Sequence, residues 1–248
     1  MPYLIARAVG WAGQGWRLNA SRSARFWLLH LGLPLLIGLW LWLGYPGTGL
    51  DDLIVGHYFD PVTRHFPLQN APLLANGLHS GTKMLCILVG VVMLGLWLMS
   101  FVDTRLRGHR RRAGWIFLGM LLSSTAVSLL KAHSIHHCPW DVVDYGGYAP
   151  HLALFEVLPP GISPGRCFPA GHASGGFALM AFYFGLRDSS PRRARLALWL
   201  GLGVGWAMGW FQTMRGAHFP SHTLWAAWVV WLVLLGLYCF FPPTVGKA

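Results

Sequence analysis

Two histidine segments, Pro169-Ala170-Gly171-His172 and Arg215-Gly216-Ala217-His218-Phe219-Pro220-Ser221-His222, each border a long apolar run and each have an arginine nearby. An imidazole can attack phosphorus and form a phosphohistidine when its other nitrogen is held by a partner. It can also hand a proton to a departing oxygen. A guanidinium neutralises phosphoryl oxygens. Residues 169–171 lead into an apolar helix, whose first N–H groups and positive dipole end favour phosphate. A third segment, Lys131-Ala132-His133-Ser134-Ile135-His136-His137-Cys138-Pro139, adds a lysine at the end of another apolar run. Each segment alone reads equally well as a loop with interfacial histidines. Three of them on one side of a membrane point to phosphate chemistry at its surface.

The elements that must carry these residues are membrane helices. The chain is 54% hydrophobic and only 11% charged, whereas a soluble domain carries about a quarter charged residues. The apolar residues come in blocks of roughly 20, which matches a bilayer core. Six spans are expected, at about 26–44, 84–101, 114–130, 171–186, 195–212 and 223–241. The fourth is short and glycine-rich. The fold class is therefore all-α: a polytopic membrane protein with six transmembrane helices and short interfacial helices in the outer loops. Segment 45–83, with Asp51, Asp52 and Asp60, is expected to lie along the membrane surface. Residues 1–25 read as a cytoplasmic N-terminal segment, with no small-residue cleavage site after the first apolar run. Residues 26–248 read as one domain.

Charge fixes the orientation. Arginines before the first span, between spans two and three, and between spans four and five, together with Lys247, place fourteen of the nineteen basic residues on one side. The positive-inside rule makes that side cytoplasmic, with both termini inside. The net charge of +11 is thus topological rather than a sign of nucleic-acid binding. Both histidine motifs and Lys131 fall on the other side. In a bacterial inner membrane that side is the periplasm. Arg64, Lys83, Lys131, Arg166 and Arg215 are the basic residues there, against the rule, and binding an anion would account for those beside the histidines.

The ordered set resembles the type 2 phosphatidic acid phosphatase superfamily, whose motifs run K-x6-R-P, P-S-G-H and S-R-x5-H-x3-D. Lys131 is followed after six residues by Cys138-Pro139. Pro169-Ala170-Gly171-His172 matches the second motif with Ala for Ser. His218-Phe219-Pro220-Ser221-His222 matches the H-x3-D end of the third. The resemblance covers residues 115–241. It implies that His218 is the nucleophile, that His172 protonates the leaving oxygen, and that Lys131 and backbone amides near Gly171 bind phosphate. It implies no metal and no cofactor. Three positions depart from the pattern: Cys138 and Gln212 stand where arginines are expected, and His222 stands where Asp orients the nucleophile. Arg166 and Arg215 can restore the positive charge. His222 can accept a hydrogen bond from His218, and Asp141 or Asp144 can supply the missing negative charge.

Cys138 and Cys167 both lie on the outer side, where an oxidising compartment permits a disulfide. Cys86 and Cys239 lie in apolar spans as packing residues. His133, His136 and His137 invite a metal reading, but no metal-binding spacing is present. Trp140, Tyr145 and Tyr148 suit an interfacial belt. The expected partners are membrane lipids and a lipid phosphate substrate: a polyprenyl diphosphate, a lipid A phosphate, phosphatidylglycerophosphate or phosphatidic acid. Two rivals stand beside hydrolysis. The same histidine could pass phosphate to a second lipid, or the chain could be a non-catalytic metal-binding or transport protein.

Overall fold

The structure is a computed structural model that describes residues 22–243. Most of the expected cytoplasmic segment 1–25, and Lys247, lie outside the described residues. The described chain is helical, with only two isolated β-bridges. We number its helices α1 (Ala24–Leu43), α2 (Leu50–Gly56), α3 (Leu73–Met99), α4 (Arg110–Ala132), α5 (Gly171–Phe177), α6 (Ala181–Leu186), α7 (Pro191–Met214) and α8 (Pro220–Phe240).

Among the described residues, four helical stretches are long and apolar enough to cross a membrane, where the sequence suggested six: α1, α3, Thr104–Ala132 (which contains α4) and α8. The two exceptions have different causes. The expected span 171–186 is broken: a 3-10 turn at Ala178–Met180 separates α5 from α6. By contrast α7 has 24 residues, about 36 Å at 1.5 Å per residue. Its length suffices, but glycines, Gln212 and Thr213 dilute its apolar character. The second span also begins earlier than expected, at Leu73, so the surface segment is shorter. Within that segment only α2 is a separate α-helix.

The glycines of α7 have a packing role. Gly201, Gly205 and Gly209 are buried on one face. A Cβ on Gly205 would stand 2.2 Å from Phe177, and one on Gly176 would stand 2.6 Å from the Gly205 backbone. Small residues thus let α5 and α7 approach backbone to backbone, as packed membrane helices do. This contact fixes α5, which carries His172, against the helix that leads to His218.

Two apolar clusters hold the rest. The main one joins Phe26, Trp115, Ile116, Phe177, Phe184, Leu234 and Tyr238 between the helices. At one end of this cluster His30 locks α1 to α6: its Nδ1 donates to the Phe26 carbonyl (2.8 Å), and Arg187 donates to its Nε2 (2.6 Å). A second, smaller cluster of Val55, Phe66, Val142, Tyr145 and Phe219 gathers α2, the 139–149 loop and the start of α8.

Candidate active site

The turn between α7 and α8 carries His218, and its shape follows from one glycine. Gly216 has φ +70°, the left-handed region that L side chains avoid. Its N–H donates to the Thr213 carbonyl (2.9 Å), and the Ala217 N–H donates to the Gln212 carbonyl (2.8 Å). This paired closure ends α7 and turns the chain back sharply. Pro220 then occupies the first position of α8, where a missing N–H costs nothing. His218 therefore sits in a tight loop, residues 215–219, between two helices.

Backbone hydrogen bonds knit the three histidine segments together. The N–H groups of Gly165, Arg166 and Cys167 donate to the carbonyls of Ile135 (3.1 Å), Ser134 (3.1 Å) and His136 (2.9 Å). Cys138 and Cys167 are joined by a disulfide across 29 residues of chain. The Ala170 N–H donates to the His222 carbonyl (3.0 Å), and the Trp140 N–H donates to the Gly216 carbonyl (3.0 Å). Lys131, His172 and His218 thus emerge from segments that are each bonded to the next.

The two histidines of the third segment face one another. His218 Nδ1 lies 3.4 Å from His222 Nδ1. Cys167 Sγ lies 3.3 Å from His218 Nδ1. Both rings are buried, at 4% and 5% exposure. With one proton shared between the facing nitrogens on the His218 side, the His218 Nε2 keeps its lone pair, which is the state a nucleophile needs.

A cavity of about 710 Å³ opens among these segments; neither His218 nor His222 is among the residues that line it. Lys131, Arg166, Gly171 and His172 line it, as do apolar residues of α3 and α4 such as Ile87 and Phe117. Lys83 of α3 adds a third cation, and among the described residues no carboxylate lines the cavity. The Lys131 stem lies against Gly171, where a Cβ would stand 3.2 Å from Lys131 Cδ. Arg166 holds φ +50°, unusual for a residue with a side chain. Such a conformation costs about 1–2 kcal/mol and persists where surrounding bonds demand it. Here the Arg166 N–H bond to Ser134 is one of them.

Other expected site residues lie elsewhere. Arg215 does not line the cavity. Its Nε donates to the Gln69 carbonyl (2.9 Å) and its NH1 to Gln212 Oε1 (3.2 Å). Gln212, which stands at the position of the motif's arginine, thus holds the arginine one turn later in place. Asp141 accepts from the Trp140 indole (3.1 Å), and Asp144 is exposed; neither is placed against His218 or His222. The helix that begins at Gly171 has only seven residues before its 3-10 turn. The Ala170 amide is already engaged with His222, so the amides before Gly171 offer less than the sequence suggested. Two groups that sequence reasoning passed over do reach the His218 loop. His151 stacks on Phe219 with centroids 4.4 Å apart, and Asp51 bonds Ser221. No spacing rule could have paired residues so distant in the chain.

Cys138, Cys167 and His218 are the one grouping of metal-type side chains among the described residues close enough to share an ion. Two of its members are bonded to each other, and a disulfide sulfur lacks the thiolate charge that metal binding uses. His136 is half-buried and held instead by the Ala153 carbonyl (3.2 Å) and Ser134 (3.2 Å). Burial lowers its pKa below the ordinary value of 6.5.

The family model for the PAP2 superfamily, the type 2 phosphatidic acid phosphatases, matches residues 112–245, and the chain belongs to that superfamily. Membership is family-level evidence for a lipid phosphatase, a hydrolase built into a membrane. No curated protein and no solved structure matches the chain at a significant level.

Proposed function

We propose that the protein hydrolyses a lipid phosphate or diphosphate at the outer face of a bacterial inner membrane, through a phosphohistidine on His218. One observation carries this reading: Lys131, Arg166 and His172 line one largely apolar cavity, and backbone hydrogen bonds tie their segments to the one that bears His218 and His222. Lys131 and Arg166 would hold the phosphoryl oxygens, and the walls formed by α3 and α4 would receive the hydrocarbon. His218 Nε2 attacks phosphorus, and the bond to the leaving oxygen breaks as His172 gives that oxygen a proton. The His218 Nδ1–H keeps its proton and donates a hydrogen bond to His222 Nδ1, which supports the positive ring that forms. Water, giving its proton back to His172, then cleaves the P–N bond and releases inorganic phosphate.

The topology we propose has six crossings. In it α7 spans the membrane by its length, and α5 with α6 forms the remaining, broken span. Breaks of this kind are tolerated where protein satisfies the backbone. The arginine-rich links then lie in the cytoplasm, with both termini, and the site lies opposite.

The test is purified protein in detergent, offered phosphatidate, phosphatidylglycerophosphate, a polyprenyl diphosphate and a lipid A phosphate, with free phosphate measured. Release from at least one of them, abolished in His218→Ala and untouched by chelator, is the expected outcome. Phosphate release that survives in His218→Ala would refute the reading.

A further inference from the structure

The helix that carries His222 begins without a cap of its own. Its N-cap residue is Phe219, whose side chain accepts no hydrogen bond. The N–H groups of a first helical turn need acceptors from elsewhere. Here the acceptor comes from 170 residues away: the Ser221 N–H donates to Asp51 Oδ1 (2.9 Å). The Ser221 hydroxyl donates to Asp51 Oδ2. The Tyr45 hydroxyl donates to Asp51 Oδ1 (2.8 Å) and holds the carboxylate in place. A carboxylate at this end of α8 also suits the helix dipole. Burial pushes the Asp51 pKa up, while the Ser221 and Tyr45 hydrogen bonds pull it down by favouring the charged form.

The neighbouring acid grips the same loop from its other side. Asp52 accepts from the Tyr145 hydroxyl (2.9 Å) and lies 3.8 Å from His151 Nδ1. The His151 ring lies parallel to the Phe219 ring, with an interplanar angle of 1°. Phe219 is itself buried, at 1% exposure. Asp51 therefore holds Ser221, and Asp52 holds Phe219 through His151 and Tyr145. Phe219, Pro220 and Ser221 are the residues that separate His218 from His222.

We infer that Asp51 is a positioning residue for the His218–His222 pair. Its carboxylate fixes the first turn of α8 and so keeps His222 Nδ1 facing His218 Nδ1. Asp51 lies outside the matched domain, residues 112–245, so this chain completes its site with an acid from its own N-terminal region. The inference rests on the reading of His218 as the nucleophile. It gives a carboxylate a part in a site whose third motif has lost its own, although Asp51 acts through the backbone and hydroxyl of Ser221 and not on the imidazole.

The experiment compares Asp51→Asn with wild type on whichever of the four lipids the wild type cleaves fastest. Misplacing a reacting group by about 1 Å can cost about 100-fold in rate. The expected result is a fall in kcat of about 10–100-fold, with KM within about twofold and slower formation of the phosphoryl-enzyme in a rapid-quench measurement. Ser221→Ala removes only the hydroxyl bond and guards against misfolding of the first variant. It should lower kcat by about 3–10-fold, and combined with Asp51→Asn it should do no further harm. Wild-type kcat in both single variants would overturn the inference, as would losses that appear only in KM or melting temperature. His218→Ala keeps the two failures apart. If it is inactive while Asp51→Asn matches wild type, only the positioning role fails; if it is active, the nucleophile assignment fails first.

Discussion

His222 shows how a site keeps its geometry when a motif residue changes. A carboxylate at this position would hold the nucleophile's ring by charge. The imidazole can hold it only by a hydrogen bond, across the 3.4 Å between the two Nδ1 atoms. Leaving a buried polar partner unsatisfied costs about 1–3 kcal/mol, and 1.36 kcal/mol is tenfold in rate. His222→Ala should therefore lower kcat by about 10–100-fold while KM stays close to wild type. Steady-state kinetics checks this, and unchanged turnover would remove His222 from the mechanism. His172 and Lys131, chosen from the sequence because their motifs are local, both line the cavity. Arg215 could not be assigned that way. Its charge is correct, but the Gln69 carbonyl and the Gln212 side chain hold its guanidinium, and that pairing depends on a turn closed between distant segments.

At the scale of elements, the loop around His218 is set by a glycine and a disulfide. Gly216→Ala would place a side chain at φ +70° and a Cβ 2.4 Å from Phe66. The backbone strain alone is about 1–2 kcal/mol, and overpacking adds about 1–3 kcal/mol. The expected outcome is a lower melting temperature together with reduced activity, measured by thermal unfolding in detergent. The Cys138–Cys167 disulfide closes a loop with a sequence separation of 29, for which chain entropy predicts about 3–4 kcal/mol of stabilisation. Cys138→Ser with Cys167→Ser should lower thermal stability and should weaken the contact between the Lys131 and His218 segments. An unchanged melting temperature would mean that the hydrogen bonds between 134–136 and 165–167 suffice alone. The cysteines could be paired from sequence because both lie in links opposite the arginine-rich ones. The break at Ala178–Met180 could not be, since its residues are as apolar as those of a continuous helix.

For the whole molecule, hydropathy indicated the class, and four of the six expected spans fall on helices long and apolar enough to cross a membrane, because lipid demands long apolar helices whatever the fold. It fell short at α7, whose glycines serve packing against α5, and at α2, whose acids serve the far end of the chain. Both uses depend on partners more than 25 residues away, which periodicity cannot reveal. The loops around the site also carry a pH dependence. The pKa of His136 is depressed in the fold, chiefly by burial. Its neutral form therefore contributes stability above the unfolded pKa of 6.5, and that stability is lost as pH falls through the lower folded value. Melting temperature should drop on acidification below about pH 6.5, and the drop should be smaller in His136→Gln. An identical drop in the variant would assign the effect to other groups.

The proposed mechanism requires that phosphorus become bonded to one particular nitrogen. Phosphohistidine survives alkali and is lost in acid, so turnover with labelled lipid can be quenched in base and the label mapped by mass spectrometry. Label on His218, absent from His218→Ala and trapped for longer in His172→Ala, is the predicted result. Steady turnover with no base-stable label, or label on another residue, would contradict the account.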